Sequence, residues 1–362
     1  MRGIYKWLQY HFRAAFIYCL SHFVRRKGVA EIAPEFNTCR VLFLCQNRIG
    51  DTLVATPVFR ILKNHYPGMQ LDVLLSRRNQ EVLAHHPLIT VRYIFKTRRL
   101  DVFAILKSIR KARYDFLVDF TVSRSTTSTL FSLLAGARLN VGLERENDFV
   151  YDFKYPPRLE KTVEYPRPRM SRTFAQVLHA FDIDPDKEVL HSEFFVRQDS
   201  RELAKANKEE LLADGAQAVL GISIAASKPE KYWGSERYVS LIRNLCDSLP
   251  GYALMILYSP EYSAEANIIA DKTPAVCSRP TNSLSDFAAL IQSLDILVTP
   301  DSAAVHLADT AGIPVVVLTY ESVSSELWHP SCCRYRVLSS DAKPLNNISV
   351  ESVERSVQEL VF

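Results

Sequence analysis

Short apolar runs recur along the chain, each followed by a polar loop and then a stretch with helical spacing. Val41–Gln46 (VLFLCQ) is continuously apolar until its last residue, the pattern of a strand buried on both faces. A loop over 47–56 follows. Thr56–Pro57 then predicts a helix N-cap with proline at the first helical position, and the helix runs to about Tyr66 before Pro67–Gly68. LDVLL (Leu71–Leu75) predicts the next strand. The alternation continues with a helix around 102–112, the strand FLVDF (Phe116–Phe120), a helix over 125–134 and a candidate strand LNVGL (Leu139–Leu143). Residues 144–172 are rich in Arg, Tyr and Pro without a clear period and read as a long functional loop or surface segment. A helix over 174–181 closes this first series.

A second series begins near residue 195. Its predicted strands are VLGISI (Val219–Ile224), ALMILY (Ala253–Tyr258), ILVT (Ile296–Thr299) and VVVL (Val315–Leu318). Helices are expected over 200–213, 235–249, 284–293 and 303–311. A last helix starts at Ser349 and carries Val350, Val353, Val357 and Leu360 on one side. Two successive runs of this kind predict an α/β protein of two Rossmann-like, doubly wound parallel sheets. The expected divisions are 1–35, 36–190, 191–345 and a C-terminal helix over 346–362.

The first segment changes the picture of charge. The 362 residues carry a net charge of +4, yet residues 1–27 alone hold Arg2, Lys6, Arg13, Arg25, Arg26 and Lys27 and no acid. The rest is therefore slightly acidic (+4 minus +6), and the total says little about the body. Trp7, Leu8 and Phe12 are interleaved with these cations. That mixture predicts an amphipathic helix at a membrane interface, with an extra helix packed on the body as the alternative. Ala14–Leu20 is far short of the roughly 18–20 apolar residues that span a bilayer, and no signal-peptide cleavage site follows it. With 48% apolar and 23% charged residues the chain is globular in composition. Its seven cysteines have no regular spacing, which predicts idle free thiols in a reducing compartment and no zinc site. A cytoplasmic protein results, peripheral on a membrane surface if the first segment binds lipid.

Ligands of open parallel sheets bind beyond the carboxyl ends of strands, near helix N-termini. Three loops qualify. The first is Asn47-Arg48-Ile49-Gly50-Asp51-Thr52, where Asp51 either accepts a proton from an attacking hydroxyl or only caps the local turn. It holds a single glycine, which disfavours an NAD-type dinucleotide loop. The second runs from Ser227 through Lys228 and Lys231 to Trp233. A hydroxyl and lysines after a strand suit a diphosphate, although solvated lysines are the ordinary alternative. The third is Thr299–Ala308, in which Asp301 is followed by Ser302, Ala303 and Ala304 at a helix start, with His306 one turn on. Small side chains there let a ligand approach the free N–H groups. The alternative makes Asp301 or Ser302 an N-cap and His306 a satisfied buried histidine.

In combination these residues resemble a known family. RIGDTLVATPVFRILKNHYPG, YDFLVDF, Ser123-Arg124-Ser125, Ala135-Gly136, Val141-Gly142, Lys231-x-Trp233, DSAAVHLADTAGIPVVVL and Trp328-x-Pro330 occur in the order and spacing of the ADP-heptose:lipopolysaccharide heptosyltransferases, glycosyltransferase family 9. The resemblance covers about residues 40 to 335. It implies a GT-B fold, with an acceptor-binding N-terminal domain and a nucleotide-sugar-binding C-terminal domain around a cleft. It further implies Asp51 as catalytic base, Lys231 on the donor diphosphate, and Ser227, Asp301, Ser302, Ala303 and His306 as donor-binding positions. Arg48 and Arg124 would lie near the acidic acceptor. One departure is Ala303, where the family commonly has glycine. The methyl group occupies space that phosphate or sugar approaches.

The expected reaction is inverting transfer of a heptose from ADP-heptose to a Kdo or heptose hydroxyl of the lipopolysaccharide inner core. The partners implied are the ADP-sugar, a lipid A-Kdo or core oligosaccharide acceptor and the inner face of the bacterial inner membrane, with no role for nucleic acid. No cofactor is expected, and no metal. The alternatives are a GT-B transferase or epimerase using another nucleotide sugar, or a non-catalytic peripheral membrane protein of the same fold.

Overall fold

The computed structural model describes residues 35–362 apart from 47, 97–98, 124, 146–147, 158–168, 227, 321–324 and 342–344. The expected interface helix of residues 1–35 lies outside the described residues save for its last position. The chain forms two compact units. One runs to Leu190, and the other takes Arg169 together with His191–Phe362.

In the first unit the strands are β1 (Arg40–Cys45), β2 (Gln70–Ser76), β3 (Ile89–Phe95), β4 (Phe116–Asp119), β5 (Leu139–Leu143) and β6 (Phe153–Tyr155). They form one sheet in the order β3-β2-β1-β4-β5-β6. All its pairings are parallel. Between them run α1 (Ile49–His65), α2 (Arg99–Ala112) and α3 (Thr126–Leu134), and α4 (Met170–Ala175) follows the sheet. The second unit repeats the plan. Its strands are β7 (Ala218–Ser223), β8 (Tyr252–Leu257), β9 (Val276–Cys277), β10 (Ile296–Pro300), β11 (Val315–Tyr320) and β12 (Tyr335–Ser340), in the order β12-β11-β10-β7-β8-β9. Read from the other edge, that is the order of the first sheet. Its helices are α5 (Gln198–Leu212), α6 (Ser235–Ser248), α7 (Ser263–Asp271), α8 (Leu284–Gln292), α9 (Ala303–Ala311) and α10 (Val350–Val361).

The strand order reverses between β1 and β4 in one sheet and between β7 and β10 in the other. At such a point the following helices leave on opposite faces, and a crevice opens beyond the strand ends. The three loops singled out by sequence follow β1, β7 and β10, and Ser123–Ser125 follows β4. All of them therefore sit at the two reversal points.

Packing explains the central elements. Val41, Leu42, Phe43, Leu44 and Cys45 of β1 are all buried, as a strand covered on both faces requires. Gly142 of β5 is needed for close approach, because a Cβ there would meet the Tyr151 ring at 2.4 Å. In α10 the Ser349 hydroxyl accepts the Ser352 N–H at 3.2 Å, and Val353, Val357 and Leu360 enter the core of the second unit. Each of these apolar side chains contributes about 1.5–3 kcal/mol by leaving water.

Three expectations need correction. The helix after β1 begins at Ile49, so Pro57 lies inside it and not at its first position. Proline cannot donate to the Leu53 carbonyl, and the Thr56 hydroxyl does so instead, at 2.7 Å. The Thr-Pro pair thus accommodates a proline within a helix. The stretch 144–172 is not structureless: it contains a 3-10 turn at Asp148–Val150, strand β6 and the start of α4. Residues 28–39 read in the sequence as a linker, but a 3-10 turn occupies Phe36–Thr38. Phe36 packs at a tilt against Tyr66, Phe181 and Phe116 with ring centroids 5.2, 5.8 and 6.1 Å away. No helix of the described residues is long and apolar enough to cross a membrane.

Candidate active site

In the first unit Arg48 is the N-cap of α1 and Asp51 its third residue. The Arg48 N–H donates to Asp51 Oδ2 at 2.9 Å. Asp51 therefore does cap the helix start, and a carboxylate there is favoured by the helix dipole. It is half-buried at the carboxyl end of β1, and Arg48 is exposed. Buried Asn79, which the sequence reading passed over, braces this turn. Its Nδ2 donates to the Cys45 carbonyl and to Thr52 Oγ1, both at 2.6 Å, while its Oδ1 accepts the Ser76 N–H at 2.8 Å. One side chain thus ties the ends of β1 and β2 to the first turn of α1.

Beyond β4 lies a second group that the sequence reading missed. Asp119 and Arg145 form an ion pair of 3.1 Å with side chains 0% and 1% exposed. The same Asp119 oxygen accepts the Tyr151 hydroxyl at 2.6 Å and the Ser128 hydroxyl. Its other oxygen accepts the Thr121 N–H at 2.9 Å. Burial and the charge of Asp119 push the Tyr151 phenol well above its ordinary value, so it stays a donor. The one local signal was an aspartate ending an otherwise apolar strand. Arg124 lies outside the described residues, and its neighbour Ser125 caps α3 by accepting the Ser128 N–H at 3.2 Å.

In the second unit, Pro229–Lys231 forms a 3-10 turn after β7. Trp233 is fully buried, and its indole N–H donates to the Ile348 carbonyl at 3.0 Å. The Lys231-x-Trp233 spacing is thereby explained: the tryptophan anchors the loop and the lysine turns to α9. Lys231 Nζ donates to the Asp301 carbonyl at 3.1 Å and forms an ion pair with the Asp301 carboxylate. It also lies 5.7 Å from the centre of the Tyr320 ring. Its side chain is 12% exposed and that of Asp301 36%, so this is no freely solvated surface lysine. Two loops named independently from sequence are brought together at the β7/β10 reversal.

Ser302 is the N-cap of α9, and its hydroxyl accepts the Ala304 N–H at 3.3 Å. Ser302, Ala303 and Ala304 line a groove of about 480 Å³ with Ala225, Ala226, Tyr258 and Asn282. That volume is in the range of small-molecule sites. Ala303 is part of the wall. Ser227 lies outside the described residues, although Ala226 beside it lines the groove. His306 is buried and packs edge-on against Trp328, with ring centroids 5.9 Å apart. It does not line the groove. Among the described residues no cluster of His, Cys, Asp and Glu is arranged to hold a metal ion, and every described cysteine is a free thiol.

Comparison with known proteins places this architecture. The profile of glycosyltransferase family 9 (heptosyltransferase) matches residues 102–357. The lipopolysaccharide core heptosyltransferase OpsX of Haemophilus influenzae is 23% identical over 281 residues, 75% of this chain and 76% of that protein. Among solved structures, the glycosyl transferase family 9 protein of Veillonella parvula superposes with a TM-score of 0.75 at 16% identity, covering 91% of this chain and 99% of that one. Escherichia coli heptosyltransferase WaaC with ADP gives 0.68 at 18% identity, covering 88% and 99%. The two six-stranded parallel sheets are those of the GT-B heptosyltransferases.

Proposed function

This chain belongs to glycosyltransferase family 9, the heptosyltransferases, and on that premise we propose that it moves a heptose from ADP-heptose to a Kdo or heptose hydroxyl of the lipopolysaccharide inner core. The observation that carries this reading is the ion pair of Lys231 with Asp301, the residue that precedes Ser302, Ala303 and Ala304 in the wall of a groove of ligand size. A relative of the same fold is a heptosyltransferase solved with ADP.

The donor lies in the second unit. Its diphosphate takes the Lys231 ammonium and lies at the positive end of the α9 dipole, with Asp301, Ser302 and Ala303 around it. Ser227 and His306 complete the donor side as proposed positions. The acceptor lies in the first unit, with Arg48 and Arg124 toward its acidic groups. Asp51 removes the proton of the acceptor hydroxyl as that oxygen bonds to the anomeric carbon. The bond from that carbon to the diphosphate oxygen breaks with inversion. Lys231 and the helix start stabilise the charge arriving on departing ADP. No metal takes part in this scheme. Incubation of the purified protein with a Kdo-terminated acceptor and a panel of nucleotide sugars tests it. Transfer from ADP-heptose is expected to exceed transfer from ADP- or UDP-hexoses; a preference for a UDP-sugar or free epimerised product sinks the reading.

The basic N-terminal segment supports a place for the enzyme on the inner face of the inner membrane, where the lipid-bearing acceptor resides. Each of its six cations contributes on the order of 1 kcal/mol near acidic lipid. A chain starting near Glu35 is expected to fold and to keep activity on a short water-soluble acceptor. It should lose binding to anionic vesicles and activity on membrane-embedded acceptor. Aggregation of the truncated chain would show the segment to be a packed structural helix.

A further inference from the structure

Arg145 lies in a stretch without sequence periodicity, yet its guanidinium is almost completely buried and every contact of it has a consequence. Nη2 pairs with Asp119 at 3.1 Å and reaches Ser128 Oγ at 3.1 Å. Nε donates to the Tyr151 hydroxyl at 2.9 Å. Nη1 turns the other way and donates to the carbonyl of Ser123, at 3.0 Å. Ser123 is exposed and stands in the loop that leaves β4 at the reversal point of the first sheet.

We propose that Arg145 is a positioning residue for the acceptor: it holds Ser123, in the loop that leaves β4, by clamping the Ser123 carbonyl to the buried Asp119. This rests on the reading of the first unit as the acceptor side. The described residues of this loop are fastened at three points. Asp119 takes the Thr121 N–H at its start, Arg145 takes the Ser123 carbonyl in its middle, and Ser125 caps α3 at its end. Only the middle point depends on a side chain from a distant part of the sequence. A planar guanidinium reaches a carboxylate and a carbonyl at once in fixed directions, which a lysine ammonium does not reproduce. Being buried, Arg145 acts through the loop and not by touching the acceptor. Tyr151 provides an internal contrast, because its hydroxyl supports Asp119 and Arg145 but makes no contact with Ser123 among these bonds.

The test compares Arg145→Lys with Tyr151→Phe. Arg145→Lys is expected to raise the KM for acceptor by about tenfold or more, the scale on which a small misplacement acts, and to leave the KM for donor little changed. Tyr151→Phe is expected to lower the melting temperature while leaving both KM values near those of the unaltered protein. Amide hydrogen exchange at Thr121–Ser125, measured without any acceptor, should speed up in Arg145→Lys and not in Tyr151→Phe. If lysine is not accommodated, the doubly neutral Asp119→Asn/Arg145→Gln variant removes both charges together and is read in the same way. An unchanged acceptor KM in a protein that transfers sugar, equal rises for both substrates, or an equal effect of Tyr151→Phe would overturn the proposal. If the unaltered protein transfers nothing to such acceptors, the functional reading fails, and exchange alone decides whether the clamp exists. Unchanged exchange at the loop overturns it.

Discussion

Asp51→Asn is expected to lower turnover by about 100-fold or more while leaving the fold and the KM for donor almost intact, the usual scale for a lost general base. The structure explains why the effect should be so selective. Asp51 is the third residue of α1 and accepts the Arg48 N–H at 2.9 Å. Asparagine retains an oxygen for that bond, so the helix start persists. Only the negative charge at the N-terminus is lost, worth about 0.3–1 kcal/mol of stability. What asparagine cannot do is take up a proton from the acceptor hydroxyl. Turnover near that of the unaltered protein, measured on correctly folded Asp51→Asn, would reject Asp51 as the base and leave it a cap.

Lys231→Ala should act on the other substrate. A charge-assisted contact to a diphosphate contributes roughly 1.5–3 kcal/mol, so the KM for donor is expected to rise by about 10- to 100-fold. The pairing with Asp301 adds to this. Once the ammonium is gone, the Asp301 carboxylate faces the diphosphate without its counter-charge. Turnover should fall as well, because negative charge builds up on the leaving ADP between the bound donor and the transition state. The KM for acceptor should change little. Equal losses of apparent affinity for both substrates would place Lys231 elsewhere in the reaction.

The central strands were legible in the sequence for a simple reason. β1, β4, β10 and β11 are buried on both faces, and burial on both faces writes an unbroken apolar run. The edges were not legible. β3, β6 and β12 are largely half-exposed, and β9 has only two residues, so none has an apolar run to read. Helix starts were ambiguous where one residue type serves two purposes. Thr56 looked like a cap, and its hydroxyl instead serves the carbonyl that Pro57 cannot. The same limit applies to the site. Asp51, Lys231 and Asp301 lie in the loops and helix starts that follow β1, β7 and β10, and topology alone carries them to the two reversal points. Asn79 and Arg145 act through partners 27 to 34 and 17 to 26 residues away for their main contacts, and no local pattern announces such pairs. Two contacts are local: that of Asn79 with Ser76, three residues apart, and that of Arg145 with Tyr151, six apart, in a stretch that has no period.

Mass spectrometry of the core oligosaccharide from cells lacking this protein tests the central claim most directly. The account predicts a core lighter by one heptose, with any sugars that are built on that heptose missing too, and restoration by the intact gene but not by one encoding Asp51→Asn. A core of unchanged mass, or one that has lost a hexose and kept every heptose, would contradict it.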